Sequence, residues 1–142
     1  MDAVLSKPIA GEVLRAAIEQ VLMNARTEWP LLDERVLVLL AEDIGEEGVA
    51  EVGRLFLFEA PRLIERLERA FLLRGSVLLR EMHTLASAAR SVGLQRVGHL
   101  AADIEHAMAK EEPSPQQLAG LLEVVRQSVE RLTQWLCDAR TR

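Results

Sequence analysis

The fold is decided by residues 76–108, which read SVLLREMHTLASAARSVGLQRVGHLAADIEHAM. Apolar residues recur here three or four positions apart, as they do on the buried side of an amphipathic helix. The buried side of a first helix is predicted to consist of Leu79, Met82, Leu85, Ala86 and Ala89. Gly93 is expected to end that helix. A second helix is predicted to bury Val97, Leu100, Ile104 and Met108.

The same periodicity extends upstream of this stretch. A helix over residues 33–43 is expected to begin at the cap Asp33 and to end at Gly45. A longer helix over residues 46–73 follows, and Pro61 is expected to kink or divide it.

Downstream, residues 111–115 (EEPSP) predict a loop, and apolar residues over 118–136 predict the last helix. Residues 32–138 are therefore predicted to form an all-α, antiparallel four-helix bundle with short loops. Three phenylalanines are expected to pack in its core, namely Phe56, Phe58 and Phe71.

An additional N-terminal helix is predicted before the bundle. Its apolar side consists of Val13, Leu14, Ala17, Ile18, Val21 and Leu22. Residues 26–31 are predicted to form a linker, because Pro30 forces Trp29 out of the helical region.

The composition excludes several classes of protein. The 142 residues contain 17 basic and 22 acidic side chains, a formal net charge of −5. This charge argues against a nucleic-acid partner, which normally requires a basic surplus. The longest apolar run, residues 36–41, is far too short to insert into a membrane. The single cysteine, Cys137, cannot form an internal disulfide, so a reducing, cytoplasmic location is predicted.

His83 carries the functional prediction. On its helix it shares one polar stripe with Arg80, Ser87 and Arg90, opposite the apolar side. Small neighbours such as Thr84 leave the ring uncovered. A neutral imidazole is a nucleophile near pH 7, and adjacent cations stabilise a phosphoryl group once it is attached. This pattern favours a phosphoryl carrier, and the alternative is a surface histidine without a role.

A second set of polar residues on one helix has the spacing of a metal site. His99, Asp103 and His106 share one helix face at a spacing that can bind a transition metal. Polar residues on exposed helix faces recur in this way without binding metal, and no other helix offers an obvious fourth ligand. The sequence therefore predicts no metal site.

Residues 81–94 and the helix after them resemble the histidine phosphotransfer (HPt) domain. That family has a histidine, a leucine-type residue two positions later, lysine and glycine at three and four, a small residue at five and glycine at ten. Counted from His83, the matching residues are Leu85, Ala88 and Gly93. Ile104-Glu105 stands where the family usually has Leu-Glu, and the resemblance covers residues 32–136.

The resemblance implies a phosphocarrier in a multistep two-component phosphorelay. His83 would accept a phosphoryl group from the aspartate of a response-regulator receiver domain and pass it to another receiver. Roles in stabilising the phosphoryl group or docking the partner fall to Arg80, Thr84, Ser87 and Arg90, and Gly93 is the glycine of the helix turn. A sensor histidine kinase is the other expected partner. The module has no cofactor of its own and is not an enzyme by itself, because the receiver binds the Mg²⁺.

The chain departs from the family pattern at two positions. Ala86 stands where lysine is usual, and Ser87 stands where glycine is usual. Arg80 and Arg90 can replace the missing charge, because their long side chains reach along the helix face. The alternative that these departures leave open is a degenerate bundle that docks receiver domains without carrying phosphate.

The first nine residues, MDAVLSKPI, resemble the end of a receiver domain, where a Lys-Pro pair closes the last strand. The resemblance implies that residues 1–25 are a receiver remnant. By this hypothesis the chain is the C-terminal part of a hybrid sensor histidine kinase. This part is expected to be soluble even if the whole sensor is bound to a membrane. Lys7 has no receiver chemistry here, because no phosphorylated aspartate accompanies it. The apolar side of the N-terminal helix is expected to pack on the bundle or on a second copy of the chain. Packing on a second copy would give a dimer.

Overall fold

The computed structural model describes residues 29–140, which form four α-helices and contain no β-strand. The helices are α1 (Glu34–Leu73), α2 (Gly75–Ser91), α3 (Gln95–Ala107) and α4 (Pro115–Arg140). Each helix packs against the next, and α1 also packs against α4, so the four close into a ring. Short connections make the neighbours antiparallel. The predicted all-α bundle is confirmed, whereas the predicted N-terminal helix and Lys7 lie outside the described residues.

Helix α1 begins at a capped end and is kinked at Gly45. The Asp33 carboxylate accepts a hydrogen bond from the Arg35 N–H at 3.1 Å. The Arg35 guanidinium also binds this carboxylate and lowers its pKa. The predicted break at Gly45 is confirmed, with φ 80° and ψ 167° in a region essentially restricted to glycine. The predicted division at Pro61 is wrong: the helix continues through it, because Pro61 lies on the exposed side, where water can compensate for the missing backbone hydrogen bond.

The turn between α2 and α3 is built on Gly93, whose φ is +82°. The Gly93 N–H donates to the Arg90 carbonyl at 3.1 Å, and the Leu94 N–H donates to the Ala89 carbonyl at 2.9 Å. These are the two hydrogen bonds of a Schellman helix end. The Gly93 carbonyl accepts from the Asp33 N–H at 2.7 Å, so this turn also fixes the start of α1.

The opposite end of the bundle is closed by the connections before α2 and α4. The Ser114 hydroxyl accepts from the Gln117 N–H at 3.1 Å, and the Gln117 side chain accepts from the Ser114 N–H at 2.8 Å. This capping box starts α4, with Pro115 at the first helical position. Arg74, the single residue between α1 and α2, donates to the Pro113 carbonyl at 3.1 Å. The two connections therefore hold each other.

The buried side of α2 consists of Leu78, Met82, Leu85, Ala86 and Ala89. The prediction that Leu79 lies on this side is wrong, because Leu79 is 41% exposed. Leu78 and Leu79 fit the periodicity equally well, and the rotation of α2 against its neighbours decides between them. The predicted burial of Phe58 is also wrong: it is 62% exposed, with the Arg62 guanidinium 5.1 Å from its ring centroid. None of the four described helices combines the length and apolarity that crossing a bilayer requires.

Ser128 is a polar residue in the core of α4, and its replacement by alanine is expected to stabilise the bundle. The side chain is fully buried, and its hydroxyl has no hydrogen-bond partner among the described residues. Removing an unsatisfied buried hydroxyl is expected to raise the free energy of unfolding by about 1 kcal/mol. Urea denaturation of Ser128→Ala measures this, with the exposed Ser91→Ala as the control. A loss of stability in Ser128→Ala would contradict the prediction.

Candidate functional site

His83 lies in the middle of α2 on the side that faces away from the core. Its side chain is 68% exposed, whereas the preceding Met82 is buried. This placement follows from helical periodicity, because Leu78, Met82, Leu85 and the alanines occupy the opposite side. The predicted exposed face of α2 is therefore present, with the imidazole at its centre.

The ring of His83 is oriented by Glu105 of α3. The Nδ1 atom lies 3.0 Å from one carboxylate oxygen of Glu105 and 3.3 Å from the other. An ionised carboxylate can only accept a hydrogen bond, so the facing Nδ1 carries the proton. The neutral ring then keeps its lone pair on Nε2, on the far side from the carboxylate. The pairing leaves an accessible nitrogen nucleophile in a fixed orientation.

Sequence reasoning did not assign a role to Glu105. It appeared only as part of the family pattern, because a residue 22 positions from His83 and on another helix cannot be paired with it by periodicity. The one signal that could have found it was a carboxylate at a signature position of the helix predicted to pack beside His83.

Helix α2 is also fixed from the α1 side. The Arg66 guanidinium donates two hydrogen bonds to the Glu81 carboxylate, at 2.8 Å and 3.3 Å. Such bidentate pairs fix geometry as well as adding attraction. Glu81 is two residues before His83, so the segment that carries the imidazole is held by α1 through Glu81 and by α3 through Glu105.

The predicted neighbours of His83 lie beside it on α2. Arg80 and Ser87 are exposed, one turn before and one turn after His83. Thr84 is half-buried, and its hydroxyl donates to the Arg80 carbonyl at 3.0 Å. Arg80 and Ser87 are therefore accessible to a partner, whereas the Thr84 hydroxyl is already engaged by the backbone.

Arg90 lies farther along the same side, about 10 Å from His83 measured along the helix axis. A Cβ atom at Gly98 would be 2.6 Å from Arg90 Cγ and 3.5 Å from the Ala86 carbonyl oxygen. The glycine thus allows α2 and α3 to approach closely here. Ala86, where the family usually has lysine, is 2% exposed within this contact. The position of Arg90 suits contact with a docked partner. We name the surface formed by Arg80, His83, Ser87, Arg90 and Glu105 the His83 face.

His99, one of the three residues with metal-ligand spacing, packs against an aromatic ring. Its imidazole stacks on the Trp29 indole with centroids 3.5 Å apart. Burial lowers the pKa of His99, the Arg90 charge lowers it further, and Asp103 opposes both effects. Across residues 29–140, no group of three or more His, Cys, Asp and Glu side chains is arranged to hold a metal ion.

An open depression adjoins the His83 face. Its lining includes Glu105 together with Leu79, Ala102 and Met108, so small and apolar groups lie next to the imidazole's partner. A larger apolar groove of about 710 Å³ lies elsewhere, between the bend of α1 and the C-terminal end of α4. None of the residues of the His83 face lines that larger groove.

The comparison with protein families agrees with this geometry. The profile of the Hpt domain matches residues 51–135, which is more than half of the chain and includes both His83 and Glu105. Hpt domains are phosphotransfer modules of phosphorelays, not enzymes in the usual sense, and they interact with response-regulator receivers. Neither a curated protein nor a solved structure matches the chain.

Proposed function

Because the chain belongs to the Hpt domain family, we propose that it carries a phosphoryl group on His83 between receiver domains. The supporting observation is the 3.0 Å contact between Nδ1 of His83 and Glu105, in a side chain that is 68% exposed. A carrier requires an accessible nitrogen nucleophile and a rigid support. The contact with Glu105 fixes the tautomer, which leaves the lone pair on the accessible Nε2 atom. It also holds the imidazole ring in one orientation.

In the transfer step, the Nε2 lone pair of His83 attacks the phosphorus of a receiver's aspartyl phosphate. The bond between phosphorus and the aspartate oxygen breaks, and the carboxylate leaves with the electron pair. No proton has to move, because Nδ1 keeps its hydrogen and its bond to Glu105. The ring becomes positively charged, and the adjacent carboxylate stabilises that charge. The reverse step passes the phosphoryl group to another receiver.

The partner is expected to dock on the His83 face. Receivers carry an acidic site that binds Mg²⁺, and the exposed Arg80 and Arg90 offer complementary positive charge despite the net charge of −5. Ser87 is small and leaves space above the ring. The metal would belong to the receiver, so this chain contributes the nucleophile and the docking charges.

The test is phosphoryl transfer from receiver domains preloaded with labelled phosphate. We expect the chain to acquire a label that is lost in acid and stable in alkali, as a phosphorus–nitrogen bond is. A chain that binds receivers but acquires no label from any of them would favour the alternative, a degenerate bundle that only docks. That alternative is supported by Ala86, because at this position, where the family usually has lysine, the chain has no positive charge.

Replacing Glu105 by alanine is expected to slow transfer about 10- to 100-fold, because the ring loses both its fixed tautomer and its fixed orientation. Glu105→Gln should retain more activity, since the amide oxygen can still accept from Nδ1. Single-turnover transfer rates measure both variants. The control is Asp103→Ala, which removes an exposed carboxylate from the same helix. Equal rates for Glu105→Ala and Asp103→Ala would show that the contact has no part in transfer.

We also propose a domain organisation for the chain. Residues 32–138 would be the phosphotransfer domain, 26–31 a linker, and 1–25 the end of a receiver domain in a cytoplasmic part of a hybrid sensor kinase. The support is the Lys7-Pro8 pair and the absence of a second cysteine from the sequence. Light scattering before and after deletion of residues 1–28 tests whether the N-terminal segment makes a dimer.

A further inference from the structure

The segment that leads into the bundle is held on α3 by three contacts. The Trp29 indole lies flat on the His99 ring, with 3.5 Å between centroids and 9° between planes. The Arg96 side chain donates to the Trp29 carbonyl at 2.8 Å, and the Arg96 N–H donates to the Pro30 carbonyl at 3.0 Å. Trp29 is nevertheless 37% exposed. A large aromatic surface is thus presented to solvent in one fixed position.

This position is continuous with the His83 face. His99 follows Gly98, whose Cβ position is covered by the Arg90 side chain at 2.6 Å. Arg90 is also close enough to His99 for its positive charge to lower the pKa of the imidazole. Trp29 therefore extends the His83 face at its Arg90 end. A protein of ordinary interface size covers about 800 Å² of each partner, a patch roughly 30 Å across. Arg90 lies about 10 Å from His83 along the helix axis, so a partner of this size centred on His83 covers Arg90 and the surface next to it.

We propose that Trp29 is a recognition residue for the receiver that docks over His83. This inference rests on the proposed function. It adds to the docking surface a residue, Trp29, that belongs to neither α2 nor α3. Tryptophan is enriched among the residues that dominate binding energy, because one side chain buries a large area at small entropic cost. The stack and the Arg96 hydrogen bonds remove most of that entropic cost before docking. The partner chemistry that fits is a receiver with an apolar recess beside its acidic site.

The experiment uses the full chain and two phosphodonors. Receiver domains phosphorylated with acetyl phosphate and Mg²⁺ are first screened, and the fastest donor is titrated against the unaltered chain and Trp29→Ala. Phosphoramidate, a small donor that needs no docking surface, is used in parallel. The control is Phe58→Ala, an aromatic residue that is 62% exposed on α1. Circular dichroism verifies that each variant is folded.

For Trp29→Ala we expect the half-saturating receiver concentration to rise about 5- to 30-fold, with the plateau rate within about twofold of the parent. Labelling by phosphoramidate should not change, and Phe58→Ala should match the parent. An unchanged half-saturating concentration would overturn the inference alone. Equal losses with both donors would also overturn it, because they indicate a structural role. If neither donor labels the unaltered chain, the proposed function fails and this inference with it.

A second measurement remains valid if Trp29→Ala does not fold. Trp135→Phe leaves Trp29 as the single tryptophan, since the sequence contains two. A receiver that lacks tryptophan is then added, and quenching of the indole fluorescence by acrylamide is followed. Docking over Trp29 should reduce the quenching constant at least about twofold, because the exposed ring becomes buried. An unchanged constant with receiver bound would overturn the inference.

Discussion

Replacing His83 by glutamine is expected to abolish labelling of the chain by phosphorylated receivers and by phosphoramidate. Glutamine is polar and of similar size, but its amide nitrogen has no lone pair available for attack on phosphorus. The loss should exceed about 100-fold, since the variant removes the reacting atom itself. The fold should be retained, because the side chain is 68% exposed and exposed substitutions usually change stability by less than about 0.5 kcal/mol.

The other two histidines provide matched controls. His106 is exposed on the helix that carries Glu105, and His99 is stacked on Trp29. Labelling by phosphoramidate should persist in His106→Gln and in His99→Gln. A label that survives in His83→Gln and disappears in His106→Gln would move the phosphorylation site from α2 to α3.

Replacing Gly93 by alanine is expected to lower the free energy of unfolding by about 3 kcal/mol. Two effects add. The backbone has φ +82°, which alanine adopts only at a cost. The new Cβ would lie 2.7 Å from the Asp33 carbonyl oxygen and 3.3 Å from Val36 Cβ. The backbone oxygen is held in place, because it accepts a hydrogen bond from the Val36 N–H at 3.1 Å.

Gly75→Ala separates these two effects. Gly75 also has a positive φ, +64°, but nothing lies within 4 Å of its Cβ position. We therefore expect Gly75→Ala to cost about 1 kcal/mol, from backbone conformation alone. Urea denaturation of both variants gives the difference. Equal losses would mean that the Asp33 contact relaxes without cost and that only backbone conformation matters at Gly93.

The sequence by itself determined the four described helices and most of their ends. Periodicity placed the buried residues within about one position, and the break at Gly45 and the cap at Asp33 followed from residue chemistry alone. The exposed side of α2 with His83 at its centre was also readable, because an exposed face is a local property of one helix. The expected division at Pro61 was wrong, since a proline on the exposed side of a helix does not have to end it.

Only the tertiary structure decided which residues meet across helices. Periodicity does not fix how far a helix is rotated, so Leu78 rather than Leu79 was found buried. Phe58 is exposed for a local reason, because it lies two residues after the buried Phe56 and therefore on the opposite side of the helix. The contact of His83 with Glu105 and the stack of Trp29 on His99 each join residues distant in sequence. Their positions depend on the register between α2 and α3, which pack against each other at Gly98 and Ala86. Local sequence defines the faces of the helices, and the packing between helices determines which side chain lies opposite each of them.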